Sequence, residues 1–254
     1  MVSNRPQKQI TSLQHPLVKH LVKLRERRDY RQECGTALIS GDKLIRELAA
    51  RFPFKTVFMQ KGFEPGFALR AESSFEVTAE ILKKVTGLKS PEALAVEIEL
   101  PPQADLRQVE YLLILDGVSD PGNLGTLLRT ALALGWQGVL LTPQSTDPFN
   151  ERALRAAKGA TFKLPIQVAS WEEVEALLQC KQWNFLAADS RGDDLKSVQA
   201  DSPVALALGN EAQGLSPLTR RLARCVAIPM ASAMESLNVA VAGAILMHAF
   251  KRSK

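Results

Sequence analysis

A loop that carries a single carboxylate follows one of the most apolar segments of the chain. Val204–Leu208 has the composition of a buried strand, and the glycine-bounded loop Gly209–Leu215 comes directly after it. A carboxylate that leaves such a strand for a tight loop needs a hydrogen-bonding partner or a chemical role. Glu211 is therefore a candidate functional residue.

A candidate anion site follows the apolar segment Tyr111–Leu115. The next residues are rich in Gly, Asp and Pro, and Asn123 is placed to cap the helix that the pattern predicts after them. Gly125 and Arg129 share a face of that helix. A helix amino terminus preceded by glycines attracts anions, and Arg129 would add a fixed cation. The alternative is a tight turn that leaves Arg129 on the surface.

A run of small residues begins the last helical segment. Ser236, Leu237 and Asn238 precede this run, Val239–Ala244. Small side chains over two turns permit close approach by a ligand or by another helix. Packing of the core alone would also account for them.

Two common nucleotide-binding motifs are absent. The glycines after Tyr111–Leu115 are not spaced as G-x-G-x-x-G. Gly209 and Gly214 have P-loop spacing, but Leu215-Ser216 stands where Lys-Ser/Thr is required. These failures disfavour a nucleotide-dependent α/β enzyme.

The elements that must position these residues alternate between strand and helix. Near-continuous apolar strands between helices predict a mostly parallel sheet covered on both faces. Such sheets bind ligands beyond the carboxyl ends of their strands, where the candidate residues lie. The predicted strands are Tyr111–Leu115, Val139–Thr142, Phe185–Ala188, Val204–Leu208 and Cys225–Ile228, and the predicted helices are Leu124–Leu134, Asn150–Ala157, Trp171–Gln179 and Leu237–Lys251.

The proline pair in Leu100–Asp105 predicts a domain boundary, because paired prolines favour an extended connector. We expect a domain over residues 1–99, a linker over 100–108 and a second domain over 109–254. The first domain alternates strands with helices and predicts a small α/β sandwich. Its helices are expected at Pro16–Asp29, Asp42–Ala50 and Ala79–Val85, and its strands at Ala37–Ser40, Thr56–Gln60, Phe75–Thr78 and Leu94–Ile98.

The positive charge of the chain is concentrated at its amino end. The net charge is +5, yet residues 1–31 hold eight basic and two acidic groups, so the other 223 residues carry a net −1. A local basic field attracts polyanions. Lys19, Lys23, Arg27 and Arg28 are the candidates for contacting one, and a solvated helix face is the alternative.

Several classes of protein are disfavoured by composition. The longest apolar run, Val239–Met247, is too short to span a bilayer, and the amino terminus lacks the apolar segment of a signal peptide. Three widely spaced cysteines favour neither a disulfide framework nor a thiolate zinc site, and the histidines lack metal-ligand spacing. We therefore expect a cytoplasmic protein with no membrane segment and no metal.

Three segments, in order, resemble the motifs of the SpoU (TrmH-like) RNA ribose 2′-O-methyltransferases of the SPOUT superfamily. The similarity covers about residues 110–252, and Ile10–Lys19 with Ile39–Gly41 is similar to the substrate-binding domain that often precedes this catalytic domain. The three motifs read Asn123-x-Gly125-x-x-x-Arg129, Gly209-Asn-Glu211-x-x-Gly214-Leu215, and Ile228-Pro-Met230 leading to Ser236-Leu-Asn238-Val239.

The resemblance implies a parallel-sheet α/β-knot domain, with a deep trefoil knot, that follows a small α/β RNA-binding domain. It also implies S-adenosylmethionine as the cofactor, a homodimer formed through the catalytic domain, and structured RNA as the substrate, with ribosomal RNA favoured over transfer RNA by analogy. Gly209, Ile228 and Leu237 would contact the cofactor. Arg129, Glu211, Ser236 and Asn238 would line the reacting end, and Asn123 would contact RNA.

The resemblance leaves two questions open. In the family the arginine is assigned as the group that activates the ribose hydroxyl; Arg129 could instead hold a phosphate and stabilise an alkoxide, in its own pocket or in a partner's. A chain that kept the fold but lost turnover would be a non-catalytic RNA-binding protein. The intact set of Arg129, Glu211 and Asn238 favours the enzyme.

Overall fold

The computed structural model describes residues 8–231 and 233–251, which form two compact units. One unit holds the described residues up to Pro101 together with Phe149–Glu151, and the other holds the rest. No helix of the described part is both long and apolar enough to cross a bilayer.

The first unit has a five-stranded mixed sheet in the order β1-β4-β3-β5-β2. β4 pairs in parallel with β1 and β3, whereas β5 pairs antiparallel with β3 and β2. Its elements are β1 (Lys8–Ile10), α1 (Pro16–Glu26), α2 (Arg28–Cys34), β2 (Thr36–Ser40), α3 (Asp42–Ala49), β3 (Phe54–Gln60), β4 (Ala71–Val77), α4 (Ala79–Thr86) and β5 (Leu94–Glu99).

The prediction of one helix over Pro16–Asp29 is wrong, because the chain breaks at Arg27. Arg27 has extended backbone angles (φ −119°, ψ 119°) and separates α1 from α2. The buried guanidinium of Arg31 donates to the carbonyl oxygens of Leu24 and Arg25, which lie at the end of α1. Carbonyls that a continued helix would have used are thus satisfied by a side chain.

A buried carboxylate joins the elements of this unit. Glu97 on β5 is 1% exposed and accepts hydrogen bonds from Thr36 and Thr56, each at 2.9 Å. His20 of α1 lies 3.0 Å from the same carboxylate and 2.9 Å from the hydroxyl of Tyr30. A buried carboxylate is tolerated when its oxygens are hydrogen-bonded, as they are here.

The second unit has a six-stranded, wholly parallel sheet in the order β11-β9-β10-β6-β7-β8. The parallel α/β class predicted from the apolar runs is confirmed. Its elements are β6 (Tyr111–Asp116), α5 (Pro121–Ala133), β7 (Gly138–Leu141), α6 (Glu151–Ala157), β8 (Ile166–Val168), α7 (Trp171–Gln179), β9 (Asn184–Asp194), β10 (Val204–Gly209), α8 (Pro217–Leu222), β11 (Arg224–Ala227) and α9 (Val239–Phe250).

Both faces of this sheet are buried under helices. Successive side chains of a strand point to opposite faces, so each strand contributes to both cores. Leu113 and Leu115 of β6 belong to one cluster, which includes Leu127 of α5 and Leu246 of α9. Leu112 and Ile114 belong to another, which includes Val174 and Leu177 of α7. The covered sheet therefore leaves its strand ends as the place for a site.

The small residues of α9 serve packing at Gly243. A Cβ on Gly243 would lie 2.5 Å from Leu127 Cδ2 and 2.6 Å from Leu208 Cδ1. A glycine at this point lets α9 approach α5 and β10 closely. Of the two explanations for the small residues, core packing accounts for this position.

Replacing Gly125 with alanine is expected to destabilise the second unit by about 2 kcal/mol. The added Cβ would lie 2.3 Å from the carbonyl oxygen of Ala153 and 2.9 Å from the amide of Ala157, both backbone atoms of α6. Overpacking of this kind costs about 1–3 kcal/mol and opposes a gain of at most about 1 kcal/mol in helix propensity. Urea unfolding measures the change. Gly66→Ala, where nothing lies within 4 Å of the new Cβ, is the control, and equal stability of the two variants would contradict the expectation.

Candidate active site

Glu211 ties the loop after β10 to the loop after β6. Its Oε2 accepts from the amide (3.1 Å) and hydroxyl (2.9 Å) of Ser119, and its Oε1 accepts from the amide of Asp120 (3.3 Å) and from Nδ2 of Asn123 (2.9 Å). Two loops that are about 90 residues apart in sequence thus meet at one carboxylate. This is the partner that the sequence required for Glu211.

The expectation that Asn123 caps α5 is wrong. Asp120 is the cap: its Oδ1 accepts from the amide of Asn123 at 2.8 Å, and Pro121 occupies the first helical position. Proline is favoured at that position because an N–H there would have no partner within the helix, so nothing is lost by its absence. The side chain of Asn123 is thereby available to Glu211 on one side and to Asn238 on the other.

Asn238 joins the third loop to the other two. Its Nδ2 donates to Oδ1 of Asn123 at 3.0 Å, and its Oδ1 accepts from the amides of Ala240 (2.9 Å) and Val241 (3.3 Å). The cap of α9 therefore fixes which way the amide of Asn238 points. Glu211, Asn123 and Asn238 form a continuous hydrogen-bonded row, which we call the polar row.

The loop Gly209–Leu215 is held in a compact turn. Asn210 and Gly214 exchange backbone hydrogen bonds of 3.0 and 2.9 Å, and Gly214 has φ +71°. A Cβ on Gly209 would lie 2.5 Å from the carbonyl carbon of Gly214. Asn210 also donates from Nδ2 to the carbonyl oxygen of Gly117 at 2.7 Å. Asn210 was not singled out from the sequence, although it belongs to the same motif as Glu211.

A cavity of about 660 Å³ lies at the carboxyl end of the sheet. Its volume is in the range of small-molecule sites. Leu208, Val226 and Leu246 contribute apolar surface to it. The residues predicted from the motifs that line it are Gly209, Glu211, Ile228, Ser236, Leu237 and Asn238.

One wall of the cavity comes from an irregular part of β9. Cys225 pairs with Ala187 but the next residue, Val226, pairs with Asp193, so residues 188–192 of β9 bulge out of register. Gly192 allows the return, because a Cβ there would lie 2.4 Å from the carbonyl carbon of Cys225. This wall was not predicted from the sequence.

The bulge carries an ion pair that braces the Gly209–Leu215 loop. Asp189 pairs with Arg220 of α8, whose Nε donates to the carbonyl oxygen of Leu215 at 3.3 Å. Burial raises the pKa of Asp189, but hydrogen bonds from the Arg191 amide and the Arg220 guanidinium outweigh it, so the pKa lies below its ordinary value of 3.8. The charged pair therefore holds the loop against β9 near neutral pH.

Arg129 is not among the residues that line the cavity. It is an exposed residue of α5 whose side chain forms no hydrogen bond or ion pair with any described residue. Asn123 likewise lies outside the lining and reaches the cavity only through Glu211 and Asn238. The structure thus brings the residues of the second and third motifs together at the cavity, joins Asn123 of the first motif to them by hydrogen bonds, and leaves Gly125 and Arg129 outside it.

The four predicted RNA-contacting residues of the first unit differ in environment. Lys19 and Lys23 are exposed on α1, and the ammonium of Lys23 lies 5.4 Å from the centre of the Tyr30 ring. Arg27 forms an ion pair with Asp29, and Arg28 is half-buried. The two lysines are therefore the more available cations of the set.

Glu211→Gln is expected to lower the free energy of unfolding near neutral pH, and this difference from the wild type should disappear as the solution becomes acidic. Burial raises the pKa of Glu211, but hydrogen bonds from Asn123 and Ser119 outweigh it, so the folded pKa lies below the ordinary 4.5. The stabilisation is present above pH 4.5 and disappears as the pH falls through the folded value. Urea unfolding of both proteins across this range should show their difference in unfolding free energy closing below pH 4.5. A difference that stays constant would contradict the expectation.

Two profiles of known families match this chain. The profile of the SpoU rRNA Methylase family matches residues 110–248, and that of the MRM3-like substrate binding domain matches residues 15–96. The 23S rRNA (guanosine(2553)-2′-O)-methyltransferase RlmP of Bacillus subtilis is 30% identical over 95% of this chain and 98% of its own. An uncharacterized tRNA/rRNA methyltransferase of Synechocystis is 31% identical over 96% of this chain and 94% of its own.

Solved structures of RNA methyltransferases are also similar to this chain. The AdoMet-bound rRNA methyltransferase from Sinorhizobium meliloti is 29% identical, with a TM-score of 0.83 over 95% of this chain and 96% of that one. A structure described as an RNA 2′-O ribose methyltransferase is also 29% identical, with a TM-score of 0.79 over 95% and 97% of the two chains. The chain therefore belongs to the SpoU rRNA methylase family.

Proposed function

We propose that this protein is an S-adenosylmethionine-dependent RNA ribose 2′-O-methyltransferase that acts on ribosomal RNA. The observation that carries the proposal is the meeting of three motif loops at the polar row of Glu211, Asn123 and Asn238, beside a cavity that the second and third of these loops line. Relatives named as 23S rRNA 2′-O-methyltransferases support ribosomal RNA as the substrate. The location that we propose for it is the cytoplasm, where such RNA is found.

The cavity suits S-adenosylmethionine in size and in the character of its walls. Ile228, Leu237 and Leu246 offer apolar contact, and the compact Gly209–Leu215 turn forms a further part of the lining. We propose that Gly209, Ile228 and Leu237 hold the cofactor. When bound, it supplies a methyl group on a positively charged sulfur.

The residues of the polar row hold other groups in place and do not act as an acid or a base. The carboxylate of Glu211 is engaged by four donors and has a lowered pKa, so it is a weak base near neutral pH. We propose that it fixes Asn123, which fixes Asn238 at the reacting end together with Ser236. Methyl transfer needs in-line placement of the ribose hydroxyl, and rigid placement is what this row supplies.

Arg129 is proposed to act at the cavity of a partner subunit. It lies outside the cavity lining of its own chain, and α9 carries exposed apolar residues that a partner would cover. Val241 and Ile245 of α9 lie four residues apart and are 50 and 38% exposed, and Leu237, just before the helix, is 38% exposed. A helix that is apolar on its outer face is stable when that face is covered. There the guanidinium would hold a phosphate or stabilise the developing alkoxide, since it resists deprotonation.

Two further features are proposed from the resemblance. The first is the deep trefoil knot of the carboxyl-terminal segment; the backbone approach that Gly209 permits is compatible with such tight threading. The second is RNA binding by the domain of residues 1–99, in which Lys19 and Lys23, with Arg27 and Arg28, would contact phosphates. A linker over 100–108 would join it to the domain of residues 109–254.

Transfer of a labelled methyl group from S-adenosylmethionine to ribosomal RNA tests the function. We expect transfer to ribosomal RNA to exceed transfer to an equal mass of transfer RNA, and mapping of ribose methylation in cells lacking the protein to show one unmodified site. Calorimetry with S-adenosylmethionine separates the alternative. A non-catalytic RNA-binding protein would bind RNA but not the cofactor, and that result would overturn the proposal.

A further inference from the structure

The fully exposed residues of α6 are both cations, and its one carboxylate, that of Glu151, is half-buried. Arg152 and Arg155 are its exposed residues and Lys158 follows them, whereas Ala153 and Ala157 between them are buried. The chain after Pro101 contains fifteen basic and fifteen acidic residues. A face with three cations and no exposed carboxylate is therefore a local concentration of charge, which we call the α6 cation face.

The α6 cation face borders the candidate site. Nη2 of Arg152 lies 3.8 Å from Oδ2 of Asp120, and the amide of Asp120 donates to Glu211. α6 also packs against α5 at Gly125, where a Cβ would lie 2.7 Å from that of Ala156. Arg129 is one turn beyond Gly125 on the same side of α5. A strand of RNA whose ribose reached the site would therefore have this face beside it.

Lys158 has an unusual backbone conformation for a lysine. Its φ is +50°, and it is the one non-glycine residue with positive φ in the described part of the chain. Glycine or asparagine adopts this conformation at lower cost. Strained backbone of this kind is concentrated at functional sites. Lys158 also has no ion-pair partner among the described residues, so its charge is available to a ligand.

We propose that the α6 cation face binds the phosphates of the RNA strand that flank the target ribose. Arg152 and Arg155 lie about 4.5 Å apart along the helix axis, and Lys158 follows directly after the end of the helix. Phosphate contacts of this type fix the register of the strand and read no sequence. The proposal rests on the proposed function, and it gives the catalytic unit its own RNA-positioning surface.

The test is RNA binding by a triple variant, Arg152→Gln, Arg155→Gln and Lys158→Gly. Glutamine keeps the helix propensity of arginine, and glycine accepts the positive φ, so the fold is retained. We expect affinity for labelled ribosomal RNA fragments, measured by fluorescence anisotropy, to fall at least about tenfold, and the slope of log affinity against log salt to fall by about 2. Affinity for S-adenosylmethionine should not change.

Arg107→Gln is the matched control. Arg107 is 67% exposed, against 63% for Arg152, but it precedes β6 and so lies at the opposite end of the sheet from the site. A triple variant with the RNA affinity and salt slope of this control would overturn the α6 proposal. If the wild type binds RNA and S-adenosylmethionine but transfers no methyl group, the proposed function fails while the binding comparison still decides the role of α6. A wild type that binds no RNA would overturn both.

Discussion

Arg129→Ala is expected to lower the rate of methyl transfer at least about hundredfold, which is the usual effect of removing one group that stabilises developing charge. Because Arg129 is exposed and absent from the cavity lining, the affinity for S-adenosylmethionine should stay at the wild-type value. Stability should also change little, since the side chain has no described partner to lose. Single-turnover transfer, calorimetry and urea unfolding measure the three quantities.

Mixing inactive subunits shows in which cavity Arg129 acts. When Arg129→Ala and Asn238→Ala proteins are unfolded together and refolded, a mixed dimer of the kind proposed above would contain one cavity with its own Asn238 and the partner's Arg129 intact. We expect about a quarter of the wild-type activity to return, because half of the dimers are mixed and each has one complete site. No recovery would place Arg129 in its own cavity, and full activity of Arg129→Ala alone would reject the site assignment.

Five of the six described strands of the second unit could be predicted, because a strand that is buried on both faces is a nearly continuous apolar run. The predicted Tyr111–Leu115 and Val204–Leu208 each fall one residue short of β6 and β10. Because the carboxyl ends of parallel strands lie at one edge of a sheet, the loops that follow these two strands were expected close together. Asn123 does donate a hydrogen bond to Glu211 there. β1, β8 and α8 were missed, because elements of three to six residues show too little periodicity to detect.

What the sequence could not predict depends on contacts between distant residues. The break at Arg27 is stabilised by the buried guanidinium of Arg31, which bonds carbonyl oxygens at the end of α1, and this contact is not visible in the sequence pattern. The predicted strand Phe185–Ala188 stops where β9 turns polar, so the bulge with Asp189 and its pairing to Arg220 lay outside any apolar pattern. The cap of α5 was different, since Pro121 after Asp120 is a local signal that favours Asp120 as the cap.

Asn238 has two separable roles, and a pair of substitutions should divide them. Its Oδ1 caps α9 and its Nδ2 donates to Asn123. Asn238→Ala removes both, so we expect a loss of about 1 kcal/mol in unfolding free energy from the cap. Transfer should also fall about hundredfold, as when a preorganised hydrogen-bonding group is lost from a site.

Asn238→Asp keeps an acceptor for the amides of Ala240 and Val241, and a negative charge is favourable at a helix amino terminus. It removes the donor and sets a carboxylate oxygen against Oδ1 of Asn123, which accepted a hydrogen bond of 3.0 Å from Asn238. We therefore expect stability to remain near the wild-type value while methyl transfer falls about as far as in Asn238→Ala. Wild-type activity in Asn238→Asp would reduce Asn238 to a helix cap, because the donor to Asn123 would then be dispensable, and the polar row would lose its role in placing the ribose hydroxyl.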